Sequence, residues 1–286
     1  MGRAAHLLPA QRYWQTRWPG EPAVHSSRRR ANRSVVCRMH EGNPRMHRRH
    51  RPVRQRAALS GTGTAISAPP VRRRVTRTLV TTVPVVVPLT MRLLFPALAR
   101  RLGTRRGYLA GFALYWAGCY SLALGLLGRR RVQALVRHPT QPLPSPRWLP
   151  AAALLVPPLG ATGTELLPQL RTADPAVLAT AATIASVNAA AEELLWHGLF
   201  VATFPDDPVR GWLWPAVGFT AWHLAPLSVR PYRHGTLAFL APAGLIGAGY
   251  GWVAWRTGSL RLTLPAHIAT DRADCGPPTS GSAADR

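Results

Sequence analysis

The stretch AVLATAATIASVNAAAEELLWHGLF, Ala176–Phe200, decides how the rest of the chain is read. It is long and apolar enough to cross a bilayer, since a spanning helix takes about 20 mostly apolar residues. Near its end stand two adjacent acids, Glu192 and Glu193, with Asn188 before them and His197 after. An ionisable side chain at the centre of a membrane helix costs about 2.5–3.5 kcal/mol on insertion scales, so it needs a partner or a use. Neighbouring helical residues point about 100° apart, so the two carboxylates cannot share one role. Glu193 and His197 are spaced to meet on one face, and Glu192 lies on another, above Asn188. One carboxylate then faces a reaction cavity while the other braces the bundle. The plainer alternative is a pair that marks a helix end among lipid head groups.

Working outward, apolar segments recur on both sides: Thr78–Ala99, Gly107–Leu127, Trp148–Leu167, Trp212–Leu227, Leu237–Trp255 and a short last one, Leu260–Ala269. Together they predict an all-α, polytopic transmembrane bundle of six or seven membrane segments. The Ala run before Glu192 and the Gly247-xxx-Gly251 pair let helix backbones approach closely. No internal repeat of the inverted-transporter kind is visible. Arg clusters precede the first segment, follow it, and follow the second. A positive-inside bias cannot put all three flanks on one side if both segments span. The first segment, interrupted by Pro84, Pro88 and Pro96, is the better candidate for a re-entrant or interfacial piece.

The charge is uneven. The chain has 286 residues and a formal net charge of +25, and all 36 of its Lys and Arg residues are Arg. Half of them fall in residues 1–77, beside only Glu21 and Glu41. That stretch reads as a disordered basic tail, one that a start codon further on (Met39, Met46 or nearer Val75) would remove. It has no apolar core of a secretory signal. No recognisable nucleic-acid module surrounds its Arg runs, so no nucleic-acid partner is expected; anionic lipid head groups are the simpler neighbour. An Ala- and Pro-rich background without Lys points to GC-rich coding and a bacterial source. Cys37, Cys119 and Cys275 lack metal-ligand spacing and read as free thiols. The organisation expected is a tail (1–77), N-terminal membrane segments with basic loops (78–147), a core (148–271) and a disordered C-terminal tail (272–286).

Two further segments carry ionisable groups. Phe219-Thr-Ala-Trp-His223 lies on one, and His267-Ile-Ala-Thr-Asp271 on the short last one, where His and Asp share a helical face. Each alone is as well explained by packing or by a helix end reaching for water. Three membrane helices that each bring Glu or His inward are a different matter, because such residues face one another or a water-filled cavity. A carboxylate with two imidazoles can activate water beside an oxyanion stabiliser, or hold a metal such as zinc.

In this order and spacing the three motifs resemble EExxxR, FxxxH and HxxxN-or-D of the CAAX prenyl endopeptidase and bacteriocin-processing (Abi) family of intramembrane proteases. The lead-in Trp255-Arg-Thr-Gly-Ser-Leu260 is also similar, and the resemblance covers roughly Trp148–Asp271. It implies a multi-pass cell-membrane endopeptidase that acts on a peptide or membrane-anchored protein. By similarity Glu192 is the general base, His223 holds and polarises the water, and His267 and Asp271 line the oxyanion side. Glu193, His197, Phe219 and Asn188 support them. On the resemblance a metal-free glutamic mechanism fits this Glu-plus-His set as well as a metal-dependent one; no resident cofactor is expected, with zinc the one ion to consider, and its ligands would be Glu192, His223 and His267. Two positions depart from the pattern. His197 replaces an Arg, so a permanent cation becomes a titratable one. Asp271 replaces the commoner Asn, and an ionised carboxylate repels an oxyanion unless it turns to orient His267. These departures leave a second reading, a non-catalytic immunity or scaffold protein of the same fold. A third, a small transporter or metal channel, is disfavoured by the absent repeat and the short final segment.

Overall fold

The computed structural model describes residues 70–167, 170, 174–232 and 234–274. These residues are mostly helical, and no strand occurs among them. Helix α1 (Pro70–Leu102) turns back at Gly103 into α2 (Thr104–Leu127). Gly103 has φ of 79°, a left-handed value that favours glycine. The two helices touch closely: a Cβ on Gly107 would run into the backbone of Leu98 and Ala99. A short α3 (Arg129–Arg137) and a loop lead to α4 (Trp148–Ala161), which continues as a π-helical turn, Thr162–Leu166.

Asp174 caps α5 (Pro175–Glu192), accepting from the Ala176 N–H at 2.7 Å, and Pro175 fits the first turn, where no N–H is needed. The helix runs on through a π-helical stretch, Glu193–Gly198, into α6 (Leu199–Thr203). Another π-helical turn, Val209–Leu213, opens α7 (Trp214–Trp222), and α8 (Leu224–Leu227) follows at once. The last two helices are α9 (Thr236–Thr257) and α10 (Thr263–Asp274).

By length and composition, three helices can cross a membrane: Arg74–Leu102, Thr104–Leu127 and Thr236–Thr257. Large apolar side chains point outward along them, with Leu93 at 74%, Leu237 at 79% and Leu245 at 75% exposure. In a bilayer that outer surface meets hydrocarbon of matching polarity. Polar and aromatic residues turn inward. Tyr115, Trp196, Trp222 and Phe219 fill the centre. The Tyr115 and Trp222 rings stack at 3.6 Å, and Trp196 Nε1 donates to Tyr115 Oη at 2.7 Å.

Three boundaries differ from the sequence reading. The first segment is one continuous helix despite Pro84, Pro88 and Pro96, rather than a re-entrant piece. Neighbouring helices absorb the interruption. Pro84 packs where α7 has Gly218, and Trp214 Nε1 donates to the Thr81 carbonyl, in the turn Pro84 loosens, at 2.8 Å. Residues 70–77, expected in the disordered tail, open α1; residues 1–69 lie outside the described residues. At the other end α10 extends through Asp274, past the expected limit of 271, and 275–286 lie outside the described residues. Cys119 is a buried free thiol, and Cys37 and Cys275 also fall outside.

Candidate active site

Glu192 closes α5 and Glu193 opens the π-helical stretch. Such widened turns occur often at functional sites. Both acids are fully enclosed, at 2% and 0% exposure, so each must be matched by polar partners. Those partners come mainly from α10, which packs along α5.

His267 of α10 stands between the two acids. Its Nδ1 is 3.0 Å from Glu193 Oε1, and its Nε2 is 3.5 Å from Glu192 Oε2. The ring nitrogens point apart, so neighbouring carboxylates that diverge on their helix meet one imidazole from two sides. His267 Nε2 also lies 3.5 Å from Asp271 Oδ1, one turn further along α10. Asn188, one turn before Glu192, donates through Nδ2 to Asp271 Oδ2 at 2.9 Å and accepts from Trp116 Nε1 at 2.8 Å.

Each acid has a further donor. Trp222 Nε1 donates to Glu192 Oε1 at 2.9 Å, and the Thr263 hydroxyl donates to Glu193 Oε2 at 2.5 Å. His197 lies 3.6 Å from Glu193 Oε1 through Nε2, too long for a good hydrogen bond. Among the described residues, neither of its buried ring nitrogens has a hydrogen-bond partner.

The sequence candidates thus divide. Glu192, Glu193, His267, Asp271 and Asn188 share one contact network, with His197 at its margin. His223 stands apart from the carboxylates: among the described residues it makes no polar contact with Glu192 or His267. Its Nδ1 lies 2.7 Å from the Phe219 carbonyl of its own helix. A carbonyl only accepts, so Nδ1 carries the proton and Nε2 is the other ring nitrogen. Phe219 fills the space between the imidazoles, with ring centroids 4.8 Å from His223, 5.9 Å from His267 and 6.1 Å from His197.

A metal would find three ligand atoms here. One each from Glu192, His267 and Asp271 lie within 4.8 Å of one another, and His223 is not among them. Two carboxylates and an imidazole form a donor set that fits a divalent ion such as zinc.

The motif reading missed Trp222, Thr263 and Trp116. Thr263 stands four residues before His267 on the same face of α10, so its spacing offered a signal. Trp222 adjoins His223 and gave a weaker one. Trp116 is 72 residues from Asn188, and no local pattern joins them.

No curated protein and no solved structure matches the chain. A family comparison does: residues 174–273, which hold every polar group of this network except Trp116, match the model described as type II CAAX prenyl endopeptidase Rce1-like, in support of the family that the three motifs resemble.

Proposed function

We propose that the protein is a multi-pass membrane endopeptidase in which Glu192 activates water for attack on a peptide carbonyl. The observation that carries this reading is the Glu192–His267 pair at 3.5 Å, sealed from solvent. Trp222 occupies one oxygen of Glu192, which leaves Oε2, on the His267 side, to take a proton from water.

Both nitrogens of His267 face carboxylate oxygens, so a doubly protonated ring satisfies them all. Its Nδ1–H is held by Glu193 at 3.0 Å, and its Nε2–H, at 3.5 Å from both Glu192 and Asp271 and held closely by neither, is left to donate to an oxyanion as charge develops. Asp271, held by Asn188, orients that ring. This role suits a carboxylate better than direct contact with an oxyanion. By the motif resemblance His223 would accept from the incoming water through Nε2, across the gap that separates it from Glu192. Proton transfer from Glu192 to the leaving amine completes the cleavage.

A divalent ion on Glu192, His267 and Asp271 would supply a Lewis acid for the scissile carbonyl. Glu193, Thr263 and Asn188 would then orient the ligands from behind. The substrate class follows the matched family: a membrane-anchored protein or peptide cut near its C-terminus. We expect Glu192→Ala to abolish cleavage of such a reporter, a loss of about 10²–10⁴-fold for a general base, while the protein stays monodisperse in detergent. Retained cleavage would remove Glu192 from the mechanism. Elemental analysis of the same preparation separates the two chemistries, with one zinc per chain marking the metal form and none the glutamic form.

A further inference from the structure

One end of the bundle carries more charge than its packing and the site use. Several contacts gather the chain there. The Leu135 carbonyl of α3 accepts from Leu260 N–H at 2.8 Å and from Ser259 Oγ at 2.7 Å, just before α10. Thr140 N–H donates to the Thr257 carbonyl, at the end of α9, at 2.9 Å. Arg131 donates to the Ala202 carbonyl in α6. Arg77, early in α1, and Arg210, just before α7, lie over the Phe204 ring at 5.2 and 5.7 Å. The start of α1, all of α3 and the ends of α2, α6 and α9 therefore share one face.

On that face α3 turns Leu135 inward against Val201, Ala254 and Leu260. Arg129, Arg130 and Arg137 fall on an arc of about 100° on its opposite side, and all three are exposed. Arg256 and Arg261 are exposed beside them. Together with Arg77, Arg131 and Arg210, they outnumber the acids of this face, Asp206 and Asp207, by four to one among the described residues. The far end is less basic: among the described residues Arg100, Arg101, Arg105 and Arg106 flank the α1–α2 turn, and Arg230 and Arg272 lie at the same end, six against the eight of the α3 face, with Asp174 beside them.

We propose that the α3 face rests on the anionic head groups of a phospholipid leaflet, with α3 as a helix lying along the interface. Lysine and arginine excess near membrane segments marks the cytoplasmic side, where anionic lipid is also concentrated. The α3 face is therefore the cytoplasmic one, and the far end carries the minority of the charge on the opposite side. This assignment is independent of the catalytic reading. It needs both α1 and α2 to span, as their lengths allow.

The test uses the full chain in nonionic detergent, with phosphatidylglycerol or phosphatidylcholine added and lipid retention read by native mass spectrometry. The wild type is expected to retain phosphatidylglycerol at least tenfold over phosphatidylcholine. Arg129→Gln/Arg130→Gln/Arg137→Gln loses that preference, with Arg131 left in place to pin the helix; Arg137→Gln alone lowers it severalfold should the triple variant misfold. Arg100→Gln/Arg101→Gln at the far end keeps it. Glycerol phosphate does not compete. Equal retention of both lipids by the wild type, an unchanged preference in the triple variant, or competition by glycerol phosphate each overturns the proposal. Orientation is read with a membrane-impermeant maleimide on spheroplasts of a bacterial host, using Cys37→Ser/Cys275→Ser chains. Thr104→Cys should label and Gln133→Cys should not; the reverse pattern sinks the assignment.

Discussion

The two oxygens of Glu192 have different partners, and the difference comes from one indole. Trp222 donates to Oε1 at 2.9 Å while its ring lies stacked on Tyr115, so the donor is fixed by packing rather than by a flexible chain. A hydrogen bond to a charged group is worth about 1.5–3 kcal/mol. We therefore expect Trp222→Phe, which keeps an aromatic ring against Tyr115, to lower kcat by about tenfold. KM should hold within error, while the thermal midpoint falls, because a buried carboxylate loses a donor. Steady-state kinetics carry the test, with a melting curve to show that the variant is folded at the assay temperature; an unchanged kcat would show that Trp222 does not position the base. The sequence made the clustered ionisable groups legible because such residues in apolar helices are rare and expensive. It did not make their donors legible, because Trp and Thr are ordinary in such helices and Trp116 reaches Asn188 only through the tertiary fold.

Among the helices, local hydropathy gave the segments but not how they are joined. Every expected apolar segment is helical over most of its length, the last one from Thr263 onward. The π-helical stretches at Thr162–Leu166, Glu193–Gly198 and Val209–Leu213 leave no mark in the hydropathy pattern. The prolines of α1 were a misleading signal, since their effect depends on what packs beside them. Gly218 of α7 is that neighbour: a Cβ there would stand 2.6 Å from Pro84 Cβ and from Trp196 Cζ3. A Cβ on Gly118 of α2 would meet nothing within 4 Å. We expect Gly218→Ala to destabilise the protein by about 1–3 kcal/mol, the usual cost of overpacking, and Gly118→Ala to be neutral. Thermal unfolding of the two variants in one detergent checks this, and equal midpoints would mean that α1 and α7 do not rely on that close approach. Gly251 plays a related part near the site, because a Cβ on it would meet His197 Nδ1 at 3.1 Å. The residue that replaces the motif's Arg thus sits in a pocket shaped for a small neighbour.

Taken whole, the molecule places a polar cluster inside a bundle whose outer surface is apolar and whose two ends differ in charge. The strong overall basicity belongs partly to residues 1–77 and partly to the α3 face. Composition alone could not divide them, because the segments that meet at that face are far apart in sequence. The cluster itself is assembled from α5, α7 and α10, with α2 supplying Trp116, and all but that one partner fall within the family-matched region. Everything functional turns on whether Glu192 delivers water to a peptide bond. The most direct measurement is cleavage of a membrane-anchored reporter in proteoliposomes made up in 18O-labelled water, with fragments analysed by mass spectrometry. Wild-type protein should release a fragment whose new C-terminal carboxylate carries one 18O, and Glu192→Gln should release none. Labelled product at an equal rate from the Glu192→Gln protein, or no cleavage by the wild type of any such reporter, would contradict the assignment.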